Sequence, residues 1–86
     1  MEVIQTSVFS VLKRFPDRKD SIKDLFRKSE TFQILCEDYR QCIVALKHWD
    51  ASQSEEAQAR GTEYSALMEE LEQEILNSLI EYAKKR

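Results

Sequence analysis

SETFQILCEDYRQCIVALKHW, residues 29–49, is the stretch whose reading decides the fold. Phe32, Leu35, Tyr39, Cys42, Leu46 and Trp49 follow one another by alternating steps of three and four. That alternation keeps one apolar stripe along a helix and is the seam of a helix packed on another helix. Cys36 and Ile43 widen the stripe on one flank. Ser29 stands at the N-cap position, its hydroxyl free to accept from the first unpaired amides, and Glu30 suits the positive end of the helix dipole. A helix of about five turns, about 30 Å long, is the result.

Downstream, Asp50-Ala51-Ser52 makes a short link. Ala57, Gly61, Tyr64, Met68, Leu71, Ile75, Leu79 and Tyr82 then step by three or four without a slip. This predicts one helix over 53–84, running through Gly61, with Ser52 and Glu55 at the spacing of a capping box; the alternative is that Gly61 ends a first helical piece and Thr62 caps a second. Glycine inside a helix costs about 1 kcal/mol relative to alanine. An inward Gly61 would offset that cost by letting a bulky neighbour approach the backbone. Two amphipathic helices with so short a link form an antiparallel hairpin. Matching the seams outward from Asp50–Ser52 sets Leu46 near Ala57, Cys42 near Gly61, Tyr39 near Tyr64, Leu35 near Met68 and Phe32 near Leu71.

Upstream, Ile4, Val8, Val11, Leu12 and Phe15 share one face at helical spacing. The β-branched content of residues 2–9 leaves a strand as the alternative there. Pro16 stops the segment. Asp17 or Asp20 can cap a second short helix over 18–28, with Ile22, Leu25 and Phe26 inward. The expected fold is therefore all-α: an antiparallel helical hairpin (30–49 and 53–84) with one or two short N-terminal helices packed across it. One domain, 1–86, suits a chain this short, whose small size limits how much core it can bury.

Charged residues make up 34% of the chain, and there is one Gly and one Pro. That composition suits helices and leaves little for hairpin turns or Gly-rich loops. No apolar run reaches the length of a membrane span, and the N-terminus lacks the apolar core of a signal peptide. A cytoplasmic protein without membrane contact is expected. The net charge of −3 is unevenly spread. Residues 1–28 hold seven Lys or Arg against four Asp or Glu, and residues 29–86 hold six against twelve. Lys13, Arg14, Arg18, Lys19, Lys23, Arg27 and Lys28 could form a basic face for nucleic acid. Asp17, Asp20 and Asp24 interrupt it, however, and no aromatic platform is interleaved.

Cys36, Cys42 and His48 carry the chemistry that a metal or thiol site would need. Successive members are six residues apart, which on a helix separates them by about 120° and about 9 Å. Such positions neither form a disulfide nor ligate one zinc ion. Reduced cysteines in a helix seam are expected, with no metal and no cofactor. Glu37-Asp38 and Glu69-Glu70 are adjacent carboxylates of the kind that usually face solvent. There is no phosphate loop, no nucleophile elbow and a single histidine, so an enzyme is not expected.

The run LF…F..LCEDYR.C..AL..W, from Leu25 to Trp49, followed by EY..L..ELE.EI from Glu63 to Ile75, resembles small helical proteins of bacteria whose function is unknown. The looser plan, a Phe-Pro segment before a hairpin of two long helices, is similar to the YdcH-like family. This chain differs in carrying an extra N-terminal segment and in lacking that family's basic second helix. The resemblance implies a helical hairpin and no catalytic residue.

Function is then expected to lie in helix packing: a protein-interaction or structural module that self-associates. With Tyr39 at the centre of the inward stripe, Ile34 and Val44 point to the back of the central helix. Leu76 and Ile80 form a second stripe beside Ile75 and Leu79. These four residues are the candidate interface of a homodimer, and a further protein partner is open. A weak nucleic-acid-binding module is the alternative function.

Overall fold

The computed structural model describes the backbone of residues 2–85 and the side chains of residues 7–85. It holds four helices, α1 (Glu2–Arg14), α2 (Lys19–Lys28), α3 (Glu30–Ala51) and α4 (Glu56–Lys84), with a 3-10 turn, Pro16–Arg18, between α1 and α2. No strand occurs among the described residues, so the all-α expectation holds and residues 2–9 are helical. The inward placement expected of Ile4 lies outside the described side chains.

α3 is the central element: α4 packs antiparallel along one side of it and α1 along another, while α2 touches both α3 and α4. The reason lies in the seam. Phe32, Cys36, Tyr39 and Cys42 of α3 are all buried, and α4 meets them with Leu71, Ile75 and Leu79. α1 adds Val11 and α2 adds Ile22 to the same core, with Val8, Leu12, Phe15, Leu25 and Phe26 packed around it. Each fully buried Leu, Ile or Phe contributes about 1.5–3 kcal/mol before ordering entropy is subtracted.

Ser29 does what its position implies. It is extended, at φ −127° and ψ 115°, and its hydroxyl accepts from the Phe32 amide at 3.1 Å. Gln33 tightens the corner by donating to the Phe26 carbonyl at 2.7 Å, occupying an acceptor that the end of α2 leaves open. The start of α2 differs from expectation. Neither Asp17 nor Asp20 caps it; Arg18 occupies the N-cap without a side-chain bond, because the 3-10 turn after Pro16 already leads the chain into the helix.

The hairpin link also differs. α3 runs on to Ala51, and α4 begins at Glu56, not Gln53. Ser52 forms no capping box with Glu55; its hydroxyl accepts from the Ser54 amide at 3.2 Å, a local bond that competes with helix initiation. The longer link moves the pivot toward Glu55 and slides the register. Tyr39 meets Glu72, not Tyr64, with its hydroxyl donating at 2.6 Å. Cys42 shares a cleft with Leu67 and Leu71, and Phe32 lies beside Ser78 and Tyr82. These neighbours lie further along α4 than the expected ones by about two to three helical turns. α3 thus reaches the C-terminal part of α4, and Ile75 and Leu79 are fully buried in the core that the four helices share.

Gly61 lies inside α4, without a positive φ, as the continuous pattern implies. The close approach expected there is absent: a Cβ built on Gly61 would meet no atom within 4 Å. Gly61, Leu46 and Ala57 border a shallow depression where the two helices stand apart near their link. Bulk at this position therefore does not overpack the seam. Gly61→Ala should stabilise the protein by about 0.5–1 kcal/mol through helix propensity alone. A urea midpoint that falls instead would reveal a contact at Gly61.

Candidate functional site

Two polar clusters tie the N-terminal helices to the hairpin. Arg14 at the end of α1 grips Glu72 of α4 with both ends of its guanidinium, Nε to Oε2 at 2.9 Å and Nη2 to Oε1 at 3.3 Å. Glu72 Oε2 also accepts from the Tyr39 hydroxyl of α3. Burial works to raise the Glu72 carboxyl, but the bonds from Arg14 and Tyr39 outweigh it and hold the group below its ordinary value. Tyr39 is pushed upward, first by burial and then by the carboxylate its hydroxyl serves. The second cluster joins α2 to α4. The Tyr82 hydroxyl donates to Asp24, and Lys28 bonds both Asp24 at 3.3 Å and the Tyr82 oxygen at 3.1 Å. Arg27 adds a bond to Asp24 at 2.7 Å. These are structural couplings, and the second borders an open pocket of about 340 Å³ between Leu25, Phe32, Ser78 and Tyr82.

The uncovered side of the hairpin is different. There α3 and α4 leave a cleft lined by Asp38, Gln41, Cys42, Ala45, Leu67 and Leu71. Past Ala45 and Tyr64, which border both, it continues into an open depression of about 430 Å³ with Val44, His48 and Trp49. His48 meets Trp49 edge to face, with ring centroids 5.0 Å apart. Val44 and Leu67 remain 54% and 42% exposed, which is high for residues that border one continuous cleft.

The four candidate interface residues do not form one patch. Ile34, 59% exposed, and Val44 lie on the outer side of α3, toward the cleft. Leu76 and Ile80 follow Glu72 by four and eight residues, on the flank of α4 that Arg14 approaches, so they belong to the opposite side of the hairpin. Leu76 is half-buried there and Ile80 only 36% exposed. Leu67 and Phe9, the latter 59% exposed, are the apolar surface residues that sequence reasoning passed over. Leu67 sits three residues from Tyr64 and four from Leu71, spacing that could have marked it.

Of the seven basic residues expected to share a face, Arg14, Arg27 and Lys28 are engaged by Glu72 and Asp24. Cys36 and Cys42 are both buried and free. Among the described residues no three His, Cys, Asp or Glu side chains gather to hold a metal ion. Burial pushes the Cys36 thiol from 9.0 up to about 12, and burial together with Asp38 pushes the Cys42 thiol up as well. Both thiols should thus label far more slowly in the native protein than in the unfolded chain, with Cys42, which borders the cleft, reacting before Cys36. Native labelling of Cys36 at the unfolded rate would mean that the core opens there. The sign for stability is plain. A thiol raised by folding leaves stability intact below its ordinary value, and that stability is lost as pH climbs from there toward about 12.

No family model matches the sequence, and no curated protein and no solved structure matches it either. The likeness to YdcH-like proteins thus rests on the quoted sequence pattern. Among the described residues no helix is long and apolar enough to cross a membrane.

Proposed function

We propose that the chain is a small cytoplasmic protein-interaction module, not an enzyme, which acts by helix packing and self-associates as a homodimer. The observation that supports this reading is the apolar surface of α3 left uncovered by the fold, with Ile34 and Val44 more than half exposed. α1 and α2 are already committed to the other side through Val11, Ile22 and the Arg14–Glu72 pair. A second copy offering the same row of α3 covers both surfaces at once, as a two-fold contact requires. Leu76 and Ile80, on the opposite flank, are left out of this contact. Replacing Ile34 and Val44 together with Glu should give a smaller sedimentation coefficient with helical circular dichroism retained. An unchanged coefficient would remove α3 as the contact surface.

A further inference from the structure

The cleft on the uncovered side has a charge as well as a shape. On α4, Glu63, Glu70 and Glu74 flank Leu67 at −4, +3 and +7, the positions that share its side of a helix. Asp38 lines the cleft from α3, and its negative charge adds to burial in holding the Cys42 thiol up. The nearby cations are already engaged, Arg40 by Glu37 at 2.8 Å and Arg60 by Glu63 at 3.3 Å. Among the described residues, no Lys or Arg is paired with Asp38, Glu70 or Glu74. The apolar floor is thus edged by unneutralised carboxylates. Along α3 it runs from Asp38 to Trp49, which is about 16 Å, or about three turns of a docking helix.

We propose that this cleft receives an amphipathic helix with basic flanks from a partner protein, its apolar stripe on Leu67, Leu71 and Ala45 and its Lys or Arg side chains against Glu70, Glu74 and Asp38, which leaves Ile34 and Val44 to the two-fold contact. The inference rests on the reading of the chain as an interaction module and names the chemistry of the partner. Helix-in-groove binding needs an apolar stripe to seat and opposite charge beside it, and the cleft supplies the complement of both. A second copy of this chain fits less well. Two copies set cleft to cleft would bring their acidic edges together. The basic row Lys19, Lys23 and Arg27 of α2 lacks an apolar stripe to offer, because Ile22 is buried in its own core and Arg27 is held by Asp24.

The test uses the full chain and three synthetic peptides without tryptophan: an amphipathic Leu/Lys helix, a scrambled peptide of the same composition, and a Leu/Glu helix. The lone Trp49 at the end of the cleft reports binding by its emission. Saturable binding of the Leu/Lys helix is expected, at least tenfold tighter than either control and weaker at high salt. Glu70→Lys combined with Glu74→Lys, both on exposed positions, should weaken it at least tenfold, and so should Leu67→Lys, with helicity unchanged. Equal binding of the scrambled peptide, or indifference to these variants, overturns the proposal. So does dissociation of a dimer by Leu67→Lys, which would make a second copy the occupant. Failure of the peptide to bind while the protein still sediments as a dimer sinks this inference and leaves the self-association reading standing.

Discussion

Phe32→Ala will cost the protein about 3–5 kcal/mol, the usual penalty for emptying a fully buried aromatic site. Phe32 is 1% exposed, on the first turn of α3, with Leu25 of α2 and Ser78 and Tyr82 of α4 around it. Three helices therefore lose packing atoms together, and the amide of the same residue is the one that Ser29 caps, which limits how far the site can collapse. A domain of this size has a total stability of about 4–13 kcal/mol, so the loss takes about a quarter of it or more and should lower the thermal midpoint by about 10 °C or more. Ile34→Ala, two residues on and mostly solvent-exposed, should stay within about 0.5 kcal/mol of the parent in a urea titration of the monomer. Comparable losses for the two would place α3 in a different rotation.

Glu72→Ala is expected to cost about 2–3 kcal/mol, most of it from the Tyr39 hydroxyl, which is left inside the core without an acceptor. Tyr39 is 1% exposed, whereas Arg14 can return to water once released. Tyr39→Phe removes the hydroxyl along with its need, so the double variant should be less destabilised than the sum of the singles, with a coupling of about 1–3 kcal/mol. The ion pairs of Arg27, Lys28, Arg40 and Arg60 should matter far less, being local pairs on helix surfaces. The same cluster sets an acid limit. Glu72 is held below its ordinary value in the fold, so its contribution is present above that value and fades as pH falls through the lowered one. Additive single variants, or an acid profile unchanged by Glu72→Gln, would show that the hairpin is not keyed here.

The parts of this fold that are written locally were legible. Ser29 caps through atoms three residues away, and Phe32, Cys36, Tyr39 and Cys42 are buried because period and apolarity agree over about three turns. What depends on summing small local choices was less so. A bond from Ser54 to Ser52 accompanies the start of α4 at Glu56 instead of Gln53, and the neighbours of Tyr39 and Phe32 lie further along α4 than the seam alone implies. Gly61 lies on the seam side as read, but whether the helices touch there depends on the link that holds them apart. Glu72 was hidden in an acidic run, where nothing in composition separates it from Glu69 or Glu70. Its signal is position, three residues before Ile75 and four after Met68, on the edge of the seam. Arg14 and Asp24 were read as members of a charge pattern for the same reason, although each serves a tyrosine-centred cluster. The interface stripe was divided because helical angles on one helix carry no information on which side a third helix covers.

On the proposed reading, Ile34 and Val44 of α3 seat a second copy of the chain. Sedimentation equilibrium of the unmodified protein tests it most directly. The weight-average mass should climb with concentration from the monomer's 10.2 kDa toward twice that value, and the Ile34→Glu, Val44→Glu double variant should stay at the lower mass. A parent protein that holds the monomer mass into the high micromolar range would rule out the dimer.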